Sequence, residues 1–315
     1  MRLGDVPFAT ESTRREMAGG IGHRVWPRIT LVTAVYNGEK YLEETIRSVV
    51  QQEYPNLDYI IVDGFSTDNT LDIISKYEKH LSWWVSRRDK NVYEALNTGF
   101  ARSTGEVMGW LNANDKLHTN GLFVVGSVFA AFNEVEWITG RPTVFNDEGM
   151  TVEVQNLPRW SRNRFLAGAN RHIQQESTFW RRGLWERAGG YMDTSYRAEG
   201  DFELWMRFFR SARLYSVDAL IGGWRFHTNS LSHADPEQYD KNCDEIVEKE
   251  LSRTSGHGLL KSFWRMDRAI RRVPKVRGIW HRALVNNLRW CFYHVPGPDW
   301  PPVIECKRDK WIFRR

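Results

Sequence analysis

Asp63, Asp115, Glu176 and Asp201 carry the most legible chemistry of this 315-residue chain. Asp63 closes the apolar run Tyr59 to Val62 and is followed by Gly64 and the polar turn Ser66-Thr67-Asp68. Asp115 ends Asn112-Ala113-Asn114-Asp115, directly after the stretch Glu106 to Leu111. Glu176 interrupts an apolar stretch ahead of Arg181 and Arg182, and Asp201 opens the amphipathic segment Asp-Phe-Glu-Leu-Trp-Met-Arg. A carboxylate can accept from a nucleotide base, ligate a divalent cation, or take a proton from an attacking hydroxyl. Each acid also has an ordinary use. Asp63 can be a turn former. Asp115 and Asp201 can be helix caps or first-turn acids. Glu176 can be a buried partner for Arg181 or Arg182. His227 alone reads as a packed or surface residue, and Arg87 and Arg88 read as solvated surface.

The elements that must hold these acids alternate. Ile29, Leu31, Val32 and Val35 form a short run suited to a strand covered on both faces. Tyr36-Asn37-Gly38 breaks it, and Leu42, Ile46, Val49 and Val50 recur at helical spacing. Tyr59 to Val62 is the next strand, and Ser66, Thr67 and Asp68 are good caps for the helix after it. Trp83 to Val85 and Glu106 to Leu111 repeat the pattern to about residue 132, as in a doubly wound α/β sheet. In such a sheet ligands meet the carboxyl ends of the strands, which is where Asp63 and Asp115 fall. Trp137 to Asn156 reads as strands and turns.

The ordered motifs resemble the family 2 glycosyltransferases, from about residue 27 to residue 232. Three stretches carry the resemblance: TAVYNGEKYLEETIRSVVQQ, VDGFSTDNT, and SRRDKNVYEALNTGFARSTGEVMGWLNAND. The resemblance implies a GT-A fold, a mixed, mostly parallel sheet flanked by helices. It implies transfer of a sugar, with inversion, from a nucleoside-diphosphate sugar to a hydroxyl on a glycan or lipid-linked glycan. Contacts to the nucleotide sugar would come from Val35, Asp63, Arg88, Asp89 and Asn114. Asp115 and His227 would hold a divalent cation, Mn or Mg, that neutralises the departing diphosphate. Asn114 stands where the family usually has a second acid, so metal affinity should suffer. Asp201 would be the base, although Gly200 replaces the Glu that many members place before it and Glu199 sits one residue earlier. Gln175 and Glu176, in IQQESTFWRRGLWERAGGY, would border the acceptor. The rivals are a non-catalytic nucleotide-sugar binder and a sugar nucleotidyltransferase. The second would want a Gly-rich phosphate loop with a basic residue, which Tyr36-Asn37-Gly38-Glu39 is not.

Composition bounds the rest. Residues 1–26 read as a disordered arm, 27–234 as the catalytic domain and 235–315 as a helical, basic, Trp-rich extension. Residues 259–315 hold 14 Lys and Arg against 4 Asp and Glu, with five Trp, in a chain of net charge +5. A cationic helix with Trp can lie in an anionic membrane interface, or can pack on the domain with a solvated basic face. No nucleic-acid module is recognisable. There is no run of 18 apolar residues, and Cys243, Cys291 and Cys306 are odd in number and widely spaced. Those features point to a reducing cytoplasm, with attachment at the inner face of the membrane as the tail's contribution.

Overall fold

The computed structural model describes residues 26–166, 172–226, 236–253 and 301–314. The apolar runs become β1 (Ile29–Val35), β2 (Leu57–Asp63), β3 (Trp83–Ser86) and β4 (Val107–Trp110). The helices between them are α1 (Leu42–Val50), α2 (Thr70–Tyr77) and α3 (Val92–Arg102). Next come β5 (Lys116–Leu117), α4 (Gly121–Ala131), β6 (Trp137–Thr139), β7 (Thr143–Phe145), β8 (Thr151–Val154) and α5 (Arg162–Leu166). β9 (Thr178–Arg181), α6 (Arg182–Arg187), α7 (Gly200–Phe208), β10 (Leu214–Ser216), β11 (Gly222–Arg225) and α8 (Pro236–Arg253) follow. The hairpin β12 (Val303–Lys307) and β13 (Lys310–Arg314) ends the chain.

The main sheet runs β10-β6-β9-β4-β1-β2-β3, with β9 antiparallel to both neighbours and the other pairs parallel. Alternation along the strands makes two cores. Val32, Ala34, Ile60, Val62, Met108 and Trp110 face the layer of α3, α7 and α8. Ile29, Leu31, Val35, Tyr59, Ile61 and Val107 face the layer of α1, α2 and α4. The register sets Val35, Asp63 and Ser86 side by side at the carboxyl edge. A second sheet, β5-β11-β7-β8, joins the turn after β4 to β11 and the β7–β8 hairpin.

α7 is anchored by tryptophan. Trp205 stacks on Trp110 of β4 at 5.6 Å and 14°, and also meets Trp137 and Trp180 at 5.6 and 5.7 Å. Asp201, one turn before Trp205, is thereby tied to the end of β4. No helix among the described residues is long and apolar enough to cross a membrane.

Residues 303–314, expected within a helical extension, form a β-hairpin instead. Ile304 bridges Val217 just beyond β10, and Asp218 N–H donates to Ile304 O at 2.8 Å. Trp311 Nε1 donates to Ser127 Oγ at 2.7 Å, and the Phe313 ring meets Phe132 at 4.3 Å. The hairpin covers the β10 edge and the back of α4, so Trp311 serves packing rather than a membrane surface. Trp264, Trp280, Trp290 and Trp300 lie outside the described residues, as does the proposed arm up to residue 25.

Candidate active site

Asp63 is completely buried, and its carboxylate shapes the loop after β2. Oδ2 accepts from Phe65 N and Ser66 N, each at 3.1 Å, and from Ser86 Oγ at 2.6 Å, while Oδ1 accepts from Ser66 Oγ. These bonds hold Phe65 in the left-handed region, at φ 70°, with its ring half exposed. Arg88 lies over that ring at 5.2 Å, and Tyr36 is exposed beside Gly64. Val35, expected at the nucleotide, is buried and contributes its carbonyl, which accepts from Gly64 N at 2.8 Å. Asp89 is the contrasting acid. Its side chain is buried, both oxygens lack a hydrogen-bond partner, and Arg87 Nε stands 3.3 Å from Oδ1. Burial raises its pKa, with Arg87 opposing.

The turn after β4 is locked from three sides. Asp115 is fully buried; Oδ1 accepts from Arg225 N at 2.7 Å and Oδ2 from Asn112 Nδ2 at 3.0 Å. Arg225 is also fully buried. Its guanidinium donates to Asn114 O, Asp147 O and Glu44 Oε2, at 2.7, 2.8 and 2.5 Å, and lies 4.7 Å over the Tyr41 ring. The third side is a 3-10 turn, Gln175–Ser177, packed against β11. Gln175 Nε2 donates to Trp110 O, and Gln175 Oε1 accepts from Asn112 Nδ2 at 3.1 Å. Glu176 Oε1 stands 3.5 Å from the same amide. A Cβ at Gly222 would come within 2.1 Å of Glu176 O, so β11 closes on this turn only with glycine there.

Burial pushes the carboxyls of Glu176 and Asp115 upward, Glu176 the more strongly, because two acids in one dry place share a proton. Glu176 is therefore neither on a strand nor paired with an arginine. Arg181 caps the end of α4 through Phe129 O and Phe132 O, and Arg182 bonds Gly105 O. Gln175 and Glu176, expected to border the acceptor, are nearly buried and brace the turn that carries Asp115.

This donor set does not fit a preformed cation site. Asn112 and Asn114 bring no charge, and both Asp115 oxygens are engaged. Among the described residues no group of three His, Cys, Asp or Glu could hold a metal ion. His227, the other expected ligand, lies outside the described residues.

Asp201 is more open than the braced acids Asp63 and Asp115. It is half-buried at the start of α7, Oδ1 accepts from Phe202 N, and Oδ2 has no protein hydrogen-bond partner among the described residues. Burial lifts its pKa to about 6, against the opposing backbone N–H groups of the helix start. Its surroundings come from the third sequence motif. Tyr93 and Asn97, one turn apart on α3, reach the segment that leads to Asp201. Tyr93 OH accepts from Gly200 N at 2.9 Å, and Asn97 exchanges bonds of 2.7 and 2.8 Å with Met192. A Cβ at Gly200 would lie 2.5 Å from the Tyr93 ring, which explains why glycine replaces the expected acid. Glu199 is buried and accepts from Asn242 Nδ2 of α8 at 3.0 Å, a brace rather than a helper base.

Arg225, Tyr93 and Asn97 were not singled out by sequence as site residues. An arginine inside the strand Gly222–Arg225 was the readable signal, since a buried cation needs partners.

The model of glycosyl transferase family 2 matches residues 30–193, more than half of the chain. The chain belongs to this family. An uncharacterized glycosyltransferase of Mycobacterium tuberculosis is 27% identical over 187 residues, covering 56% of this chain and 68% of that protein. The putative teichuronic acid biosynthesis glycosyltransferase TuaG of Bacillus subtilis is 36% identical over 138 residues, 41% of this chain and 49% of TuaG. Among solved structures, S. aureus TarS 1-349 in complex with UDP-GlcNAc superposes with a TM-score of 0.63 at 15% identity, covering 84% of this chain and 79% of that one. The fold is thus that of the GT-A transferases, and the protein is a glycosyltransferase. Asp63, Asp89, the Asn112–Asp115 turn and Asp201 all lie at one end of its sheet or on the α7 start tied to it.

Proposed function

We propose that this glycosyltransferase moves a sugar, with inversion, from a nucleoside diphosphate to a glycan hydroxyl, with Asp201 as the base. The observation that carries the reading is the half-buried Asp201, whose Oδ2 has no protein hydrogen-bond partner among the described residues. Asp63, Asp115, Glu176 and Glu199 are buried, and their carboxyls are taken up by neighbouring protein groups. Inversion needs one carboxylate on the side opposite the leaving diphosphate, and Asp201 is the acid free to act there. A pKa near 6 suits a base that must be ionised at neutral pH and still hold a proton briefly.

On the donor side, the base would lie against the exposed Tyr36, Phe65 and Arg88, with the buried Asp89 carboxylate held by Arg87. Asp63 contributes by shaping the loop. The diphosphate would lie over the Asn112–Asp115 turn. A divalent cation, Mn or Mg, would there depend chiefly on phosphate oxygens, since the turn supplies no preformed site among the described residues. The acceptor class is a surface glycan or a lipid-linked glycan, by likeness to TuaG. We place the enzyme at the cytoplasmic face of an anionic membrane, on the charge of residues 259–315.

The test is Asp201→Asn, assayed for turnover with a panel of nucleotide sugars. Turnover should fall by roughly 10²–10⁴, the span for losing a positioned base, with nucleotide affinity kept. Near wild-type turnover would remove Asp201 from the role.

A further inference from the structure

We propose that His172 and Tyr239 form the acceptor platform of this enzyme, a flat aromatic surface on which the apolar face of a pyranose lies while its hydroxyl meets Asp201. The inference rests on the reading of Asp201 as the base, and it adds a binding subsite of which Tyr239 lies beyond the stretch matched by the family.

The two rings come from distant parts of the chain. His172 precedes the turn Gln175–Ser177, and Tyr239 is on the first turn of α8. They stack at a centroid distance of 5.5 Å and an interplanar angle of 16°. His172 is exposed, while Tyr239 is half-buried behind it. The backing ring is fixed. Its hydroxyl is bonded to Cys243, a fully buried residue of the α7–α8 core, and the ring belongs to the layer that packs there. α8 itself is pinned to the start of α7 by the Asn242–Glu199 bond.

The pair sits near the proposed base: Tyr239 is three residues before Asn242, whose amide bonds Glu199, two residues before Asp201. The phenol of Tyr239 is held protonated by burial first, then by the charge of Asp201, with Cys243 and Tyr93 adding. Glu176, four residues after His172, also feels the charge of Asp201. Tyr239 thus lies on the helix pinned to the start of α7, with His172 stacked on its exposed side. A saccharide offers exactly one kind of surface to such a wall, a patch of ring C–H groups flanked by hydroxyls, and aromatic faces attract that patch by dispersion and burial. Tyr93 is not a rival platform, because its hydroxyl and ring are committed to Gly200.

Saturation-transfer NMR on the full chain would test this, with the methyl glycosides of glucose, galactose, mannose and N-acetylglucosamine as probes, in the presence of UDP or GDP. At least one glycoside should receive saturation, strongest on the C–H groups of one ring face. His172→Ala should weaken that binding by roughly five- to ten-fold, the loss of one aromatic face. His172→Phe should restore it, which a merely structural role would not produce. Tyr239→Leu should weaken it too, with thermal melting as the control for folding. Asp201→Asn should leave glycoside binding in place, so that a failed base assignment and a failed platform are told apart. Wild-type binding in His172→Ala, or no saturation of any of the four glycosides, would overturn the platform.

Discussion

Asp201 shows how one residue is placed for two purposes at odds. Its folded pKa is about 6, above the ordinary 3.8. Between those values the folded state binds the extra proton, so stability falls as pH rises from about 4 to about 6 and then levels off. With Asp201 as the proposed base, turnover runs the other way, because that base must be ionised. The expected kcat/KM therefore rises about ten-fold per pH unit below 6 and flattens above it. Asp201→Asn should accordingly melt at or above the wild-type temperature at pH 8, with that advantage gone at pH 4, by calorimetry at both values. A variant less stable than wild type at pH 8 would mean that the carboxylate is a needed cap. At the donor end, Asn114 and the engaged Asp115 predict weak metal binding. Titration calorimetry of the nucleotide-free protein should show little heat with Mn²⁺ or Mg²⁺, and UDP or GDP should strengthen it. Tight binding that survives Asp115→Ala would overturn the expectation.

Elements are positioned here by few, large contacts. α7 holds its acid in place because Trp205 is buried among Trp110, Trp137 and Trp180. Trp205→Ala should cost about 3–5 kcal/mol in denaturant unfolding, as for other buried tryptophans. Turnover should drop more than nucleotide affinity, since the donor end of the sheet is untouched. The start of α7 meets α3 closely enough that Gly200→Ala would press on the Tyr93 ring. That variant should lose about 1–3 kcal/mol, and adding Tyr93→Leu should recover part of the loss. If Gly200→Ala is as stable as wild type, the close approach is not a constraint.

At the scale of the molecule, the C-terminal hairpin is a structural part of the transferase domain. It extends the β10 edge and covers Phe132, Tyr215 and Ser127. Ending the chain near residue 300 should therefore lower the melting temperature by several degrees, because each kcal/mol shifts a chain of this size by roughly 2–4 °C. Membrane attachment has to be tested with the hairpin in place. The full chain should sediment with anionic vesicles at low salt and release as salt rises, since each nearby Lys or Arg contributes about 1 kcal/mol that salt screens. Indifference to anionic vesicles at low salt would leave the basic residues a solvated face.

The alternation of strand and helix, the ends of β2 and β4 and the family were legible from sequence, because buried strands and amphipathic helices carry short, local periods. Asp63, Asp115 and Asp201 were visible as chemistry for the same reason, each closing or opening such an element. What those acids do was decided by distant partners. Asp115 is engaged by Arg225, 110 positions away, and Gly200 is filled by Tyr93, 107 positions away. Glu176 met another acid where sequence offered two arginines, because a 3-10 turn ahead of β9 carries it under the end of β4. The final hairpin hid within a basic stretch, since alternation over five residues is short beside a helical pattern. Hydrogen-bond saturation is a property of the whole neighbourhood, so only the tertiary structure could separate acids that brace the site, such as Asp63 and Asp115, from the more open Asp201.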